Sequence, residues 1–338
     1  MKKEAISKLK ALLAHPKKIV IVPHKNPDGD AMGSTLALYI YLKKKGHDAV
    51  VVSPNDYPKF LKWLPCDDTV VKFDKQNDQA IKLIEEAEII FTLDFNALSR
   101  TGDMSVPLEA AKADFVMIDH HQQPDDYAVV MYSDVNVCAT SQMIYHTLEM
   151  LDDTEALDKD MATCLYTGIM TDTGSFRFRS TTAETHRVIA NLIENGADNA
   201  YIHEQIYDAS SFNRMQLLGK ALSNLKELPE YNTAFITLSQ EELDNFNYQK
   251  GDTEGFVNYG LAIEGVKFAI IFIESKKEGI IKISLRSKGD FSVNEMARTH
   301  FSGGGHINAA GGKSDSSLAE TVEYFKNILP QYKEALNE

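Results

Sequence analysis

The segment Ile19-Val20-Ile21-Val22-Pro23-His24-Lys25-Asn26-Pro27-Asp28-Gly29-Asp30 passes from four branched apolar residues into a Pro/Gly turn with one imidazole and two carboxylates. A short β-branched run of this kind reads as a strand buried on both faces. The same pattern recurs: Ile89-Ile90-Phe91-Thr92-Leu93 stops at Asp94, and Phe115-Val116-Met117-Ile118 stops at Asp119. A further run at 49–52 ends in Ser53-Pro54-Asn55. Stretches of helical character at 31–45, 77–87 and 106–112 separate these runs. Strands that alternate with helices predict an α/β fold, a mainly parallel sheet flanked by helices. In an open parallel sheet ligands bind beyond the carboxyl ends of the strands. That is where His24, Asp28, Asp30, Asp94 and Asp119 fall.

Helical patterning deepens downstream, with apolar residues at three-to-four spacing over 141–151, 158–170 and 183–195, and Gly196 as a helix stop. A helical stretch is expected over 201–227, broken by Pro229. Strands then follow at 233–238, 266–275 and 279–286, and helices near 293–299 and 318–329, which make a smaller α+β domain. The expected organisation is a first, α/β domain over 1–186, a helical linker over 187–215 and a second, α+β domain over 216–338.

The 338-residue length allows two domains, and the 43% hydrophobic and 25% charged fractions are ordinary for a globular protein. A net charge of −14 argues against tight binding of long duplex nucleic acid, which depends on many Lys/Arg–phosphate contacts. It leaves room for a small phosphorylated substrate held by metals and a few arginines. Cys66, Cys138 and Cys164 form no CxxC pair and suit a reducing compartment. No apolar run approaches the roughly 20 residues that span a bilayer. The first 18 residues alternate Lys with Ile6, Leu9, Leu12 and Leu13 as an amphipathic helix does, unlike a signal peptide. A cytoplasmic protein without membrane association is expected. A homodimer is compatible with the sequence, which sets no oligomeric state.

A fourth acidic position, Asp172 in Thr171-Asp172-Thr173-Gly174-Ser175-Phe176, follows the apolar stretch 162–170. A calcium loop is excluded for the first cluster, because Ala31 stands where its glycine belongs and Ala37 where its terminal Glu belongs. Taken together, three strand ends and one helix end deliver four carboxylates and two imidazoles. Mixed His/carboxylate donors suit Mn(II), Fe(II) or Zn(II) better than Mg(II) or Ca(II). Six ligands exceed what one ion with an open position takes, but they fit two ions that share a bridging carboxylate. A two-metal site activates water at neutral pH and stabilises in-line displacement at phosphorus. That is hydrolase chemistry.

These residues resemble the DHH phosphoesterase family along nearly the whole chain. His24-x-Asn-Pro-Asp28-x-Asp30-x-x-Gly-Ser is similar to its first motif, Asp94 to its second, Asp119-His120-His121 to its name-giving third and Thr171-Asp172-Thr173-Gly174 to its fourth. Gly303-Gly304-Gly305-His306, followed by Asn308-Ala309-Ala310-Gly311, resembles the glycine-rich signature of the DHH-associated second domain. The resemblance implies two divalent ions, Mn(II) first among them. His24, Asp28 and Asp94 would hold one ion, and Asp30, Asp94, His120 and Asp172 the other. It further implies that Asp119 orients His120 and that His121 faces the scissile phosphate as a proton source.

For the second domain, Gly303-Gly304-Gly305 is expected to form an anion nest of backbone N–H groups for a terminal phosphate, with His306 beside it. Arg100 and Arg286 are candidate phosphate ligands, with Arg177, Arg179 and Arg298 behind them. The compact two-domain form is similar to the branch of the family that degrades short oligoribonucleotides and removes phosphate from 3′-phosphoadenosine 5′-phosphate. The expected partner is thus short single-stranded RNA or a small nucleotide. The alternatives are a phosphodiesterase of cyclic di-AMP or its linear product, an exopolyphosphatase or pyrophosphatase, and a non-catalytic nucleotide- or RNA-binding protein. A missing metal ligand would mark the last, and none is missing.

Overall fold

Strands β1 (Lys18–Pro23), β2 (Asp48–Ser53), β3 (Val71–Lys72), β4 (Ile89–Leu93), β5 (Asp114–Asp119) and β6 (Val130–Ser133) pair in the order β3-β2-β1-β4-β5-β6. Every pairing is parallel. This is the doubly wound order, in which the winding reverses between β1 and β4. The structure is a computed structural model that describes residues 1–337. It divides into two units, Met1–Ala209 and Ser210–Glu338.

Alternation along each strand explains why both sheet faces are covered. Ile19 and Ile21 enter one apolar core, and Val20 and Val22 enter another on the opposite face. The second face is closed by α3 (Asn77–Glu86) and α4 (Ser105–Ala110), through Ala80, Ile84 and Leu108. The first face is closed by α2 (Gly29–Lys44), α5 (Thr140–Met150), α6 (Lys159–Asp172) and α7 (Ala183–Glu194), with α1 (Lys3–Leu12) adding Leu9.

Helix α2 is buried almost along its whole length, which accounts for its lack of an amphipathic stripe. It packs closely on α6 because both carry glycine at the crossing. A Cβ on Gly33 would lie 2.5 Å from the Cys164 carbonyl oxygen. A Cβ on Gly168 would collide with Ser141 Oγ and sit 2.8 Å from Asp30 Oδ1. The close approach draws together the start of α2, the start of α5 and the end of α6.

The expected linker is displaced. Val188, Leu192, Ala197 and Ile202 all belong to the main core of the first unit, so α7 and α8 (Asn199–His203) are part of that unit. The helical stretch expected over 201–227 is also interrupted. A π-helical turn, Glu204–Asp208, follows α8, the chain breaks at Ser211, and α9 (Phe212–Ser223) restarts with Ser211 as its cap. Ser and Asp side chains that cap a new helix compete with continuation of the old one.

In the second unit, β7 (Lys226–Leu228), β8 (Thr233–Leu238), β9 (Phe268–Ser275), β10 (Ile280–Ser287), β11 (Gly304–Gly305) and β12 (Ala309–Ser314) form a mixed sheet in the order β11-β12-β10-β9-β8-β7. Only β8 and β9 run parallel. Phe268, Ile270 and Phe272 face α12 (Val293–His300) and α13 (Leu318–Ile328), and Ala269 and Ile271 face α9 and its neighbours. No helix of the described residues is long and apolar enough to cross a membrane.

Candidate metal centre

The reversal point of the first sheet sets the centre. Pro23 pairs with Leu93 and Leu93 with Ile118, so the residues that follow each strand, His24, Asp94 and the end of β5, emerge side by side. Asp94 takes a left-handed backbone conformation (φ 67°), which Asp tolerates better than most residues, and its N–H donates to the Ile118 carbonyl at 3.2 Å. That turn aims the carboxylate inward, where only 2% of Asp94 is exposed.

The two oxygens of Asp94 face different partners. Oδ2 lies 3.5 Å from His24 Nε2, which is also 3.8 Å from Asp28 Oδ2. Oδ1 lies 3.4 Å from His120 Nε2, which is 3.6 Å from Asp172 Oδ2 and 3.8 Å from Asp30 Oδ2. Among the donor groups that result are His24–Asp28–Asp94 and Asp30–His120–Asp172, each with its donor atoms within 4.8 Å of one another.

His24, His120, Asp28 and Asp30 are each held by backbone groups. His24 Nδ1 lies 2.9 Å from the Lys25 carbonyl, and His120 Nδ1 lies 3.1 Å from the Val137 carbonyl. A carbonyl only accepts, so both Nδ1 atoms carry hydrogen, which leaves Nε2 facing the carboxylates, ready to offer its lone pair to a cation once it loses its own proton. Asp28 caps α2, its Oδ1 accepting from the N–H groups of Asp30 and Ala31 at 3.1 Å, which leaves Oδ2 for the centre. Asp30 sits on the start of α5, accepting from Thr140 N–H at 2.6 Å and Ser141 N–H at 2.8 Å. Helix starts favour negative charge. The Thr140 hydroxyl donates to Asp94 Oδ1 at 3.0 Å.

The electrostatics call for cations. Burial disfavours a charged His24, yet Asp28 and Asp94 outweigh it and raise the imidazole to about 10. Burial also opposes charge on His120, and Asp94, Asp172 and Asp30 push it well up. Burial, with the charges of Asp28 and Asp94 against the relief from His120, raises Asp172 to about 6. Asp30 is pushed well up by burial and by Asp94 and Asp172. Carboxylates crowded this closely are stabilised by positive charge among them, supplied by protonated imidazole or by bound cations. Divalent ions with His/carboxylate preference fit that donor set.

The role expected for Asp119 is corrected. Asp119 Oδ1 lies 2.7 Å from His121 Nδ1, while His120 is oriented by the Val137 carbonyl. The physical reason is direction: residue 119 ends β5 fully buried, and the chain turns so that the second histidine folds back over it.

The glycine-rich segment does not form an open nest. Gly303 N–H donates to the Ala297 carbonyl at 3.1 Å and Gly305 N–H to Asn294 Oδ1 at 2.9 Å, and Gly304–Gly305 pair with β12. Those donors are spent inside the unit. His306 N–H donates to the Ala309 carbonyl at 2.7 Å. Arg286 Nη1 donates to the Leu285 carbonyl at 2.9 Å, and Arg100 is exposed on the loop after β4, its carbonyl accepting from Lys25 N–H at 2.9 Å. Sequence reading overlooked Val137, Thr140 and Ser141. Their polar groups are ordinary in a helix start, and only the tertiary fold brings them to the ligands.

A doubly wound domain with two adjoining His/carboxylate groups at its reversal point has the make-up of a metal-dependent hydrolase. The chain belongs to the DHH family: residues 18–169 match the DHH family, N-terminal domain, and residues 216–337 match the DHHA1 domain. It is 34% identical to the Bifunctional oligoribonuclease and PAP phosphatase NrnA of Thermus thermophilus, over 87% of this chain and 83% of that one. Identity to the Bacillus subtilis protein of the same name is 27%, over 87% of this chain and 88% of that one. A crystal structure of an exopolyphosphatase-related protein from Bacteroides fragilis superimposes with a TM-score of 0.95 at 39% identity, covering 100% of this chain and 98% of that one. The protein is a hydrolase that acts on phosphoester bonds.

Proposed function

We propose that this phosphoesterase works with two divalent ions, Mn(II) first among them. Its reactions are hydrolysis of short oligoribonucleotides to mononucleotides and of 3′-phosphoadenosine 5′-phosphate to AMP. The observation that carries the reading is the division of the Asp94 oxygens between His24 and His120. His24, Asp28 and Asp94 would hold one ion, and Asp30, Asp94, His120 and Asp172 the other. Such ions, when bound, lower the pKa of water and offset the charge that develops at phosphorus.

The chain's own groups do the rest. Thr140 and the start of α5 hold Asp94 and Asp30 in place, so the donor set is preorganised before substrate arrives. Asp119 accepts from Nδ1–H of His121, which orients the ring so that Nε2, when it also carries a proton, would donate to the scissile phosphate and pass that proton to the leaving oxygen. Arg100 in the first unit, and Arg286 and His306 in the second, are the proposed phosphate contacts. Their support is residue chemistry: guanidinium forks and imidazole donors match phosphate oxygens. The substrate class rests on the named activity of the relatives and on the acidic net charge of −14, which disfavours long polyanions. The same considerations favour a protein at work in the cytoplasm.

The test is a rate comparison with Mn(II)-loaded protein on a dinucleotide, a five-mer, long RNA, 3′-phosphoadenosine 5′-phosphate, cyclic di-AMP and pyrophosphate. Fast release of mononucleotides from the dinucleotide and five-mer, with AMP from the bisphosphate, is the expected result. Turnover confined to cyclic di-AMP or pyrophosphate would overturn the substrate assignment.

A further inference from the structure

The loop that follows Asp172 is built in an unusual way. Gly174, Ser175 and Phe176 lie in succession in the left-handed region, with φ of 56°, 60° and 65°. For Ser and Phe this conformation is strained, and strain of this kind persists only where the surroundings over-determine it. Here they do. Ser175 N–H donates to the Met170 carbonyl at 2.8 Å, Phe176 N–H to Thr173 Oγ1 at 3.0 Å, and the Ser175 hydroxyl lies 3.1 Å from His203 Nε2. The Phe176 ring is wedged among Tyr166, His186 and His203, at centroid distances of 5.8, 5.8 and 6.5 Å.

The loop reverses the chain. Arg177 and Phe178 return their N–H groups to the Thr173 carbonyl, at 3.0 and 3.1 Å, so Phe178 lies beside the residue next to Asp172. Its ring is pressed against Gly174, where a Cβ would fall 2.5 Å from the ring. Yet the side chain is left 39% exposed. The loop thus leaves an aromatic ring partly open to solvent, with its backbone tied to Thr173, the residue after the candidate metal ligand Asp172. Solvent-facing aromatic rings near a phosphate-handling centre are the means by which single nucleotides are held through their bases, because every base has a π-face.

We propose that Phe178 is a nucleobase-stacking residue, and that the left-handed run 174–176 exists to place its ring there. This deepens the reading of the protein as a nucleotide phosphoesterase and rests on it. Stacking on Phe178 gives affinity for the nucleoside part of the substrate without preference for base sequence, which suits an enzyme for short RNA.

The test is calorimetric binding of AMP and of ribose 5-phosphate to the Mn(II)-loaded protein, which reads the base directly and needs no turnover. Wild type is expected to bind AMP about tenfold more tightly than ribose 5-phosphate. Phe178→Ala removes that difference and leaves the affinity for ribose 5-phosphate unchanged, and Phe178→Trp restores it. A difference that survives in Phe178→Ala, or is absent in wild type, overturns the proposal. An equal loss for both ligands overturns it too, since that marks a structural role. Failure of the activity reading is distinct from all of these: the wild-type protein would discriminate AMP from ribose 5-phosphate and yet leave a dinucleotide uncut.

Discussion

Asp119 and His121, two residues apart, are joined by a 2.7 Å contact between Oδ1 and Nδ1, and the other Asp119 oxygen is buried without a hydrogen-bond partner. The pair separates the roles within the tripeptide. His120 lies in the candidate metal-binding group, and Asp119 contacts His121. Asp119→Asn keeps an acceptor but loses the carboxylate charge beside Nδ1. We expect kcat to fall by about 10- to 100-fold, with bound metal unchanged. Metal content by atomic absorption, measured beside kcat, checks this. Loss of metal in the variant would return Asp119 to the support of His120.

Thr140 links the start of α5 to Asp94. Thr140→Val keeps shape and burial but removes the 3.0 Å hydrogen bond to Asp94 Oδ1. An unmade bond of this kind costs about 1 kcal/mol, and loss of an outer contact weakens metal binding about tenfold. Thr140→Ser retains the hydroxyl and is expected to bind metal like wild type. Competition with a fluorescent chelator gives both affinities, and equal affinity for Val and Ser variants would remove Thr140 from the account.

Gly168 sets the spacing of α5 and α6. A methyl group there would collide with Ser141 Oγ and crowd Asp30. Gly168→Ala is expected to destabilise the first unit by about 1–3 kcal/mol through overpacking, although alanine favours helix at exposed positions. Thermal unfolding should show a midpoint lower by several degrees.

Protons and metal compete for His24. Its folded-state pKa of about 10, against an ordinary 6.5, lies on the raised side. In metal-free protein its stabilisation is therefore complete below about 6.5 and is lost as pH rises through about 10. Metal binding needs the neutral ring, so metal affinity should rise with pH over the same window. Midpoints of thermal unfolding from pH 6.5 to 10 should fall for the metal-free protein and stay nearly level for the Mn(II)-loaded one. Parallel slopes would contradict the assignment of His24 as a ligand.

Much of the fold was legible because its strands are short, branched and buried on both faces, as β1, β4 and β5 are. The clustering of the candidate donors was legible for the same reason, since each lies near a strand or helix end. What escaped was tertiary. Strands β3 and β6 are short edge elements with weak patterning. The 187–209 segment reads as a linker until Val188 and Leu192 are seen in the core. Glycine composition alone indicated a nest at 303–305, but the hydrogen bonds to Ala297 and Asn294 depend on where α12 packs. The partner of Asp119 depends on a turn that adjacency in sequence does not disclose.

The account turns on Asp94 as the acid shared by two ions, and electron paramagnetic resonance during a Mn(II) titration addresses this directly. Two ions per chain are expected, with the spectrum of an exchange-coupled pair, and Asp94→Ala should abolish the coupling while its circular dichroism stays native. A single uncoupled ion per chain in the wild-type protein would contradict it.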